Sequence, residues 1–531
     1  MGIFISIPKT IECVVGAVVF TLLLCGCAYR LLGILQSYGY GGKKFCGWLK
    51  KKGNLTVGKF VLLAMLCALA TAVISLCFSF AGEYAAVCGL AAYAIFFPLF
   101  IWADNKVALR VPLTFTPRVK RLYTVLTLVT AAFVYLAFTL LNFADFVWGN
   151  LIFNTLRYLP LAVFPLLVIP VILLANLLCK IYEVPHNKSF VKKAKAKLAA
   201  SDIKVIGVTG SYAKTSTKKI LSDILGKKYR VLATPRSHNT PLGIASSING
   251  NDLSNFDVFI AEMGARHVGD IAELCETCPP DIAVITGICP QHLESFGSEE
   301  NIVKAKAEIL KSCKNAVIAD GCYALFEAYP CPKLRVGCVK DVVSNCNGSD
   351  FTLVFDGEEV KTHTKLLGAH AVENIALAAE VAHSLGMTAD EIAQAVKDID
   401  YIEHRLQLIS SGGVNILDDG YNSNVKGAAA ALEVLKSFGG RKIAVTPGLV
   451  ELGVLEENEN YELGKRLVGL DFVILVGETL ILPVKRGYLE NGGDAEKIKV
   501  VLGLPAAQQE LKSILQRGDT VLFLNDLPDI Y

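Results

Sequence analysis

The sequence predicts a multi-domain chain: an N-terminal α-helical transmembrane bundle of about five spans, followed by two α/β domains. Three observations predict it. The 531 residues are 53% hydrophobic and 19% charged, with mean hydropathy +0.46, whereas ordinary soluble domains carry roughly 25% charge. The apolar excess is concentrated before about residue 180. Beyond residue 200, short β-branched runs alternate with helical segments, the pattern of a parallel sheet with crossover helices.

Five apolar stretches make the bundle, at about 11–30, 60–80, 85–103, 122–141 and 159–179. Each approaches the ~20 residues a helix needs to cross the hydrocarbon core. The first lacks a small-residue cleavage site and has basic residues on its far side, so it reads as an anchor rather than a cleavable signal peptide. Basic residues crowd alternate loops. Lys43, Lys44, Lys50, Lys51, Lys52 and Lys59 follow the first span, and Lys106, Arg110, Arg118, Lys120 and Arg121 the third. Lys180, Lys188, Lys192, Lys193, Lys195 and Lys197 follow the fifth. The positive-inside rule then predicts a multi-pass cell-membrane protein with its N-terminus outside and everything after the fifth span in the cytoplasm. The same lysines suit anionic or pyrophosphate-linked membrane lipid at the inner leaflet. No span is expected to carry a buried carboxylate or a central Lys or Arg, which argues against an ion or proton pathway.

Composition also excludes. A net charge of +3 makes no case for nucleic-acid binding. The 16 cysteines are too sparse in so long a chain for a secreted disulfide scaffold. Cys275 and Cys278 form the only CxxC pair, without the second pair of a zinc finger.

In the first α/β series, Lys204–Thr209, Asp257–Ala261 and Ile282–Thr286 are expected strands and Thr215–Leu225 a helix. A second series starts near 414, with strands at Val414–Leu417, Lys442–Val445, Phe472–Val476, Lys499–Val501 and Thr520–Leu524. Asp398–Gln407 lies between them as a linker. The expected domains are 1–183, 184–397 and 398–531.

The first strand runs into Thr209-Gly210-Ser211-Tyr212-Ala213-Lys214-Thr215-Ser216, and a helix follows. A tight strand-to-helix turn aims backbone N–H groups and a positive helix end at a phosphate. Lys214 adds a mobile charge for outer phosphates, and Thr215 or Ser216 a hydroxyl for Mg2+. The generic G-x4-G-K-[ST] pattern is not met, because Val208 and Ala213 occupy its glycine positions. Ala213 is expected to be tolerated there only with a negative φ. Glu262 ends the next strand, at the ligand-binding edge of an open sheet, where its carboxylate suits Mg2+. His292 follows the third strand, and Lys304 and Lys306 lie on the helix Asn301–Lys311.

Together these segments resemble the Mur ligase family, ATP-dependent amide-bond ligases of peptidoglycan precursor synthesis. Thr209-Gly210-Ser211-x-x-Lys214-Thr215-Ser216 is similar to its phosphate loop, and Glu262-Met-Gly264-Ala265-x-His267-x-Gly269-x-Ile271 to its next signature. His292-Leu-Glu-Ser-Phe-Gly297 through Lys304-Ala-Lys306-x-Glu308-Ile309 resembles a third, and Gly368-x-His370-x-x-x-Asn374 a fourth. Glu403-His404-Arg405-Leu406, Asp418-Asp419-Gly420-Tyr421-Asn422-Ser-Asn424, and Gly448 with Glu451-Leu452-Gly453 resemble motifs of the family's C-terminal domain. The likeness covers roughly 200–525 and implies a P-loop-type central domain and a Rossmann-like C-terminal domain.

The resemblance implies ATP and Mg2+, two ions, as cofactors. It implies that Lys214 holds the β- and γ-phosphates, and that Thr215, Glu262 and His292 are metal ligands. Lys306 would be the family's carbamylated lysine, a carboxylate in effect, for a second Mg2+. Asn374 would read the adenine edge, Arg405 reach the phosphates on domain closure, Asp419 face the ribose, and Tyr421 and Asn422 line the site. Ala371 replaces an asparagine that makes one adenine contact in the family.

Two further departures stand out. The family's C-terminal K-G-S-R stretch is absent, and a membrane domain stands where its uridine-diphosphate-binding domain belongs. The expectation is a membrane-anchored ligase that activates a carboxylate as an acyl phosphate and joins it to an amino acid or dipeptide amine. Its acceptor would be a cell-wall precursor, lipid-linked or otherwise presented at the membrane. The alternatives are a poly-γ-glutamate-synthase-like ligase, an amidotransferase-type relative acting on lipid-linked precursor, and an inactive membrane scaffold indifferent to Lys214→Ala.

Overall fold

The computed structural model describes residues 7–51, 54–106, 112–148, 155–235, 238–291, 293–420, 424–450, 452–477 and 480–524. The side chains of 7–12, 81–83, 145, 146, 148 and 294 fall outside that description. The chain forms two compact units that divide between His186 and Asn187.

Among the described residues, five helical stretches are long and apolar enough to cross a membrane: Cys13–Ser37, Thr56–Cys77, Ala85–Asn105, Pro117–Ala144 and Leu159–Ala199; the first four belong to the first unit, and the fifth begins there and ends beyond His186. Their interior is aromatic. Phe20 packs against Tyr93, Phe97, Phe138 and Phe164, with ring centroids 5.0–6.2 Å apart. Such offset and edge-on pairs add to simple area burial. Large apolar side chains also point outward, among them Leu22, Leu62, Leu69, Leu128, Leu136 and Leu140. Exposed apolar side chains in such number suit a surface that lipid or a partner covers.

Two carboxylates are buried just beyond the spans expected at 85–103 and 159–179. They are Asp104, in the last turn of the third stretch, and Glu183, in the fifth. Each is neutralised by cations from other helices: Arg30 lies 2.9 Å and Lys59 3.8 Å from Asp104, and Arg118 lies 3.0 Å and Arg121 3.3 Å from Glu183. Pairing is what makes a buried charge tolerable. All six groups sit at the helix ends that the lysine pattern assigns to one face.

The second unit holds two six-stranded sheets and a small third one. In the first, β1 (Lys204–Thr209), β2 (Val231–Ala233), β3 (Val258–Glu262), β4 (Ile282–Ile285), β5 (Asn315–Ile318) and β6 (Lys333–Arg335) pair in parallel in the order β2-β3-β1-β4-β5-β6. The chain turns back on itself at β1, so the crevice for a ligand opens beyond the C-terminal ends of β1, β3 and β4. Phe190, Val191, Ala194 and Leu198 pack into the core beneath this sheet.

Strands β7 (Val339–Asn345), β8 (Gly348–Phe355) and β9 (Glu358–Thr364) form the antiparallel third sheet. The last sheet is built from β10 (Gln407–Ser411), β11 (Val414–Asp419), β12 (Lys442–Thr446), β13 (Phe472–Val476), β14 (Ile498–Val501) and β15 (Thr520–Leu524). Its order is β10-β11-β15-β12-β13-β14, parallel except for β10. The segment expected as a linker thus ends where β10 begins.

Candidate active site

The turn after β1 leads directly into the helix Lys214–Leu225. Gly210 has φ +152°, and a Cβ there would lie 2.1 Å from Oγ1 of Thr286, so only glycine fits. The Ser211 N–H donates to the Gly287 carbonyl at 2.8 Å, tying the turn to β4's end. Thr209 is fully buried and its hydroxyl donates to the Met263 carbonyl, so it anchors the turn from below rather than lining a cavity. Ala213 overturns its expectation: it sits at φ +60°, in the left-handed region. A non-glycine residue there costs about 1–2 kcal/mol.

A cavity of about 450 Å³ opens over this turn, lined by Gly210, Ser211, Lys214, Thr215, Glu262, Lys306 and Arg405 among others. Among the described residues, Ser211 Oγ is buried without a hydrogen-bond partner, an unmet donor at the place a phosphate would occupy. Lys214 Nζ is folded back, donating to the carbonyls of Gly210 and Ser211 at 2.8 and 3.1 Å. Burial lowers its pKa.

Glu262 ends β3, is 1% exposed, and is held from three sides. Its Oε2 accepts from Thr215 Oγ1 and Lys218 Nζ, each at 3.0 Å, and its Oε1 from Asn239 at 3.3 Å. Neighbouring ligands of octahedral Mg2+ with 2.0–2.1 Å bonds lie about 2.9 Å apart. The Thr215 and Glu262 oxygens therefore have the spacing of one edge of a magnesium shell. Ser216, the other hydroxyl considered for the metal, faces a different cavity.

Lys306 lies on the helix Glu299–Ala307, whose start is capped by Ser298 accepting from Asn301 N. The lysine is 2% exposed, with its ammonium 5.9 Å from the Phe296 ring. Burial first, and the Lys214 charge second, hold its pKa well below the usual lysine range. Burial of this kind favours the uncharged amine over the ammonium.

A second cavity shares Tyr212, Ala213 and Arg405 with the first, and is lined by Ser216, His370, Asn374, Leu406 and Asp419. Asn374 Oδ1 accepts from Thr217 Oγ1 at 3.3 Å, joining the helix Ala369–Ser384 to the one after β1. Burial pushes the Asp419 carboxyl up to about 7, while the Arg405 charge pulls it down. Arg405 sits between two left-handed non-glycine residues, His404 (φ 58°) and Leu406 (φ 49°), and Leu406 N–H donates to Asp419 Oδ1 at 3.2 Å.

His292, Tyr421, Asn422 and Glu451 lie outside the described residues. Sequence reasoning missed Lys218, Asn239 and Tyr212. The signal for Lys218 was its position four residues after Lys214, on the same helix face.

Residues 208–382 match the family model of the Mur ligase middle domain, and residues 404–525 that of the Mur ligase, glutamate ligase domain. A Bacillus subtilis relative, UDP-N-acetylmuramoyl-tripeptide--D-alanyl-D-alanine ligase, is 32% identical over 345 residues, covering 62% of this chain and 74% of its own. This chain belongs to the Mur ligase family. It is accordingly an ATP-dependent acid–amino-acid ligase. The Mycobacterium tuberculosis ligase of the same name is 31% identical over 368 residues, covering 62% of this chain and 71% of its own. Among solved structures, the Thermotoga maritima MurF ligase in complex with ADP aligns with TM-score 0.58 and 29% identity, over 65% of this chain and 81% of that one. MurF from Acinetobacter baumannii, at 24% identity and TM-score 0.58 over 64% of this chain and 77% of that one, shares the fold. The five apolar helical stretches precede the matched Mur ligase residues or, for the fifth, end before them.

Proposed function

We propose that this Mur ligase is a membrane-anchored enzyme of the D-alanyl-D-alanine-adding type, acting on a carboxyl group of a cell-wall precursor. The observation that carries this reading is the meeting of Lys214, Thr215, Glu262, Lys306 and Arg405 around one cavity. The curated relatives and the ADP complex of a structural neighbour support the same reading.

An oxygen of the acceptor carboxylate attacks the γ-phosphorus of ATP, and the bond from that phosphorus to the ADP oxygen breaks. The donor amine then attacks the carbonyl carbon of the acyl phosphate. Phosphate leaves with the C–O electron pair, and the amine gives up a proton. Magnesium, two ions in this reading, supplies the charge neutralisation that lets a carboxylate approach the γ-phosphate.

The chain's own residues position and screen. Lys214 exchanges the Gly210 and Ser211 carbonyls for the β- and γ-phosphates, and Ser211 Oγ gains the acceptor it lacks. Thr215 and Glu262 would hold one ion. Lys306, as a free amine, adds to CO2, forming an N–C bond and losing a proton; the carbamate is the carboxylate for the second ion. Asn374 faces the adenine, Asp419 the ribose, and Arg405 reaches the phosphates when the domains 184–397 and 398–531 close and exclude water. His292 as metal ligand, with Tyr421 and Asn422 beside the nucleotide, completes the set.

The helices of 1–183 lie in the cell membrane in this reading, N-terminus outside, with the catalytic domains cytoplasmic. The lysine asymmetry and the ion pairs gathered at one end of the bundle support that orientation. A lipid-linked or membrane-presented acceptor follows from it. The test is phosphate release by the full chain in detergent with ATP, Mg2+ and D-alanyl-D-alanine. A UDP-muramoyl-tripeptide and its lipid-linked counterpart are compared as acceptors. Release with the lipid-linked acceptor alone supports presentation at the membrane, and equal use of both removes that part. No release with any amine or acceptor, in a chain whose Lys214→Ala variant behaves identically, overturns the ligase reading.

A further inference from the structure

Lys218 is a buried lysine that the chemistry above leaves unused. Its Nζ lies 3.0 Å from Glu262 Oε2, with the two side chains 5% and 1% exposed. The same oxygen accepts from Thr215. The carboxylate oxygen that would meet the ion is therefore already covered by a cation. Lys214, on the preceding turn of the same helix, lines the same cavity as Glu262.

We infer that Lys218 is a charge gate on the metal site, admitting a divalent cation to Glu262 only when nucleotide phosphates are present. The inference rests on the proposed ligase reading, in which Thr215 and Glu262 hold the ion. Glu262 and Lys218 together carry no net charge, so a dication arriving alone finds no attraction. In a site this buried, repulsion between an ammonium and a dication sharing one oxygen is weakly screened. It outweighs the single oriented hydrogen bond that Lys218 gives the carboxylate. The negative charges of a nucleoside di- or triphosphate reverse the sign. Lys218 thus makes the order of arrival a property of the fold: nucleotide with metal, or nucleotide first. It is a positioning residue, acting on the ion through Glu262.

The test measures Mn2+ binding to the full chain in detergent by electron paramagnetic resonance, with and without ADP. Without nucleotide, Lys218→Met should bind Mn2+ about 10-fold or more tightly than the unmodified chain, whereas Lys218→Arg, which keeps the charge, should not. With ADP the Met variant and the unmodified chain should agree to within about threefold, because the phosphates dominate the local charge. Removing one partner of a buried pair also weakens the fold, so Lys218→Gln serves as a second neutral variant. For both neutral variants, Mg2+ without nucleotide should raise the thermal unfolding midpoint, and leave that of the unmodified chain in place. Neutral variants that bind Mn2+ no more tightly than the unmodified chain without nucleotide overturn the gate alone. An unmodified chain that binds no Mn2+ even with ADP overturns the metal chemistry of the ligase reading, and the gate with it.

Discussion

His404 Nδ1 and Asp418 Oδ2 lie 2.7 Å apart, one residue before Arg405 along the chain and one residue before Asp419 at the end of β11. With Leu406 N–H bound to Asp419, the adjacent carboxylates of β11 grip the backbone and side chain on both sides of Arg405. That grip offsets two left-handed residues, each costing about 1–2 kcal/mol. The guanidinium is therefore presented from a rigid loop. Arg405→Lys keeps the charge and loses the planar fork, so ATP-dependent phosphate release should fall about 100-fold or more with the fold intact. Turnover measured beside circular dichroism checks it. Asp418→Asn should lower turnover by a smaller factor, through the loop alone.

The Asp419 carboxyl makes stability depend on pH. Burial raises it from 3.8 to about 7, so the folded chain holds this proton more tightly than the unfolded chain. Stability from this group is present at acid pH and lost as pH rises from about 4 to about 7, by on the order of a few kcal/mol. Asp419→Asn removes that loss. Unfolding midpoints at pH 5 and pH 8 should differ less in the variant than in the unmodified chain.

Ala213 holds a left-handed conformation at the start of a helix. Glycine removes the Cβ clash but gains freedom in the unfolded chain, so Ala213→Gly should stabilise by about 0.5–1 kcal/mol net. Denaturant unfolding measures it, and an unchanged or lower midpoint contradicts the strained turn.

Lys306 should depend on dissolved CO2, because a carbamate forms only from a free amine. Lys306→Ala should cut phosphate release by about 100-fold or more, the scale on which a positioned electrostatic group acts in a closed site. In the unmodified chain, 13C-labelled bicarbonate should yield one carbamate resonance that the variant lacks. A turnover indifferent to CO2 removal contradicts the carbamate.

In the helical unit, Asp104→Leu leaves the largely buried Arg30 side chain, 13% exposed, without its carboxylate. Breaking a buried pair from one side costs about 3–5 kcal/mol, whereas replacing both partners by apolar residues is near neutral. Lys59, at 3.8 Å, also loses its partner, but its side chain is 41% exposed and hydrates. Thermal unfolding in detergent should therefore drop for Asp104→Leu and largely recover when Arg30→Met is added.

Local apolar pattern was enough to place β1, β13 and β15 residue for residue and to locate the five long helices, because continuous burial requires continuous apolar sequence; it did not show that the first runs on to Ser37 and the fifth to Ala199, where the sequence turns polar. The tight turn after β1, Glu262 at its strand end and the motif order were legible for the same reason: each is a short run read from immediate neighbours. Strands β7 and β10 were not, since β7 is almost wholly exposed and neither carries an apolar run. Only the tertiary structure decided that Ala213 is left-handed, that Asp104 is buried against Arg30, 74 residues away in sequence, and that Lys218 covers Glu262 across 44. Hydrophobic period is written along the chain, but a charge finds its counter-charge only once the sheets and helices have closed around it.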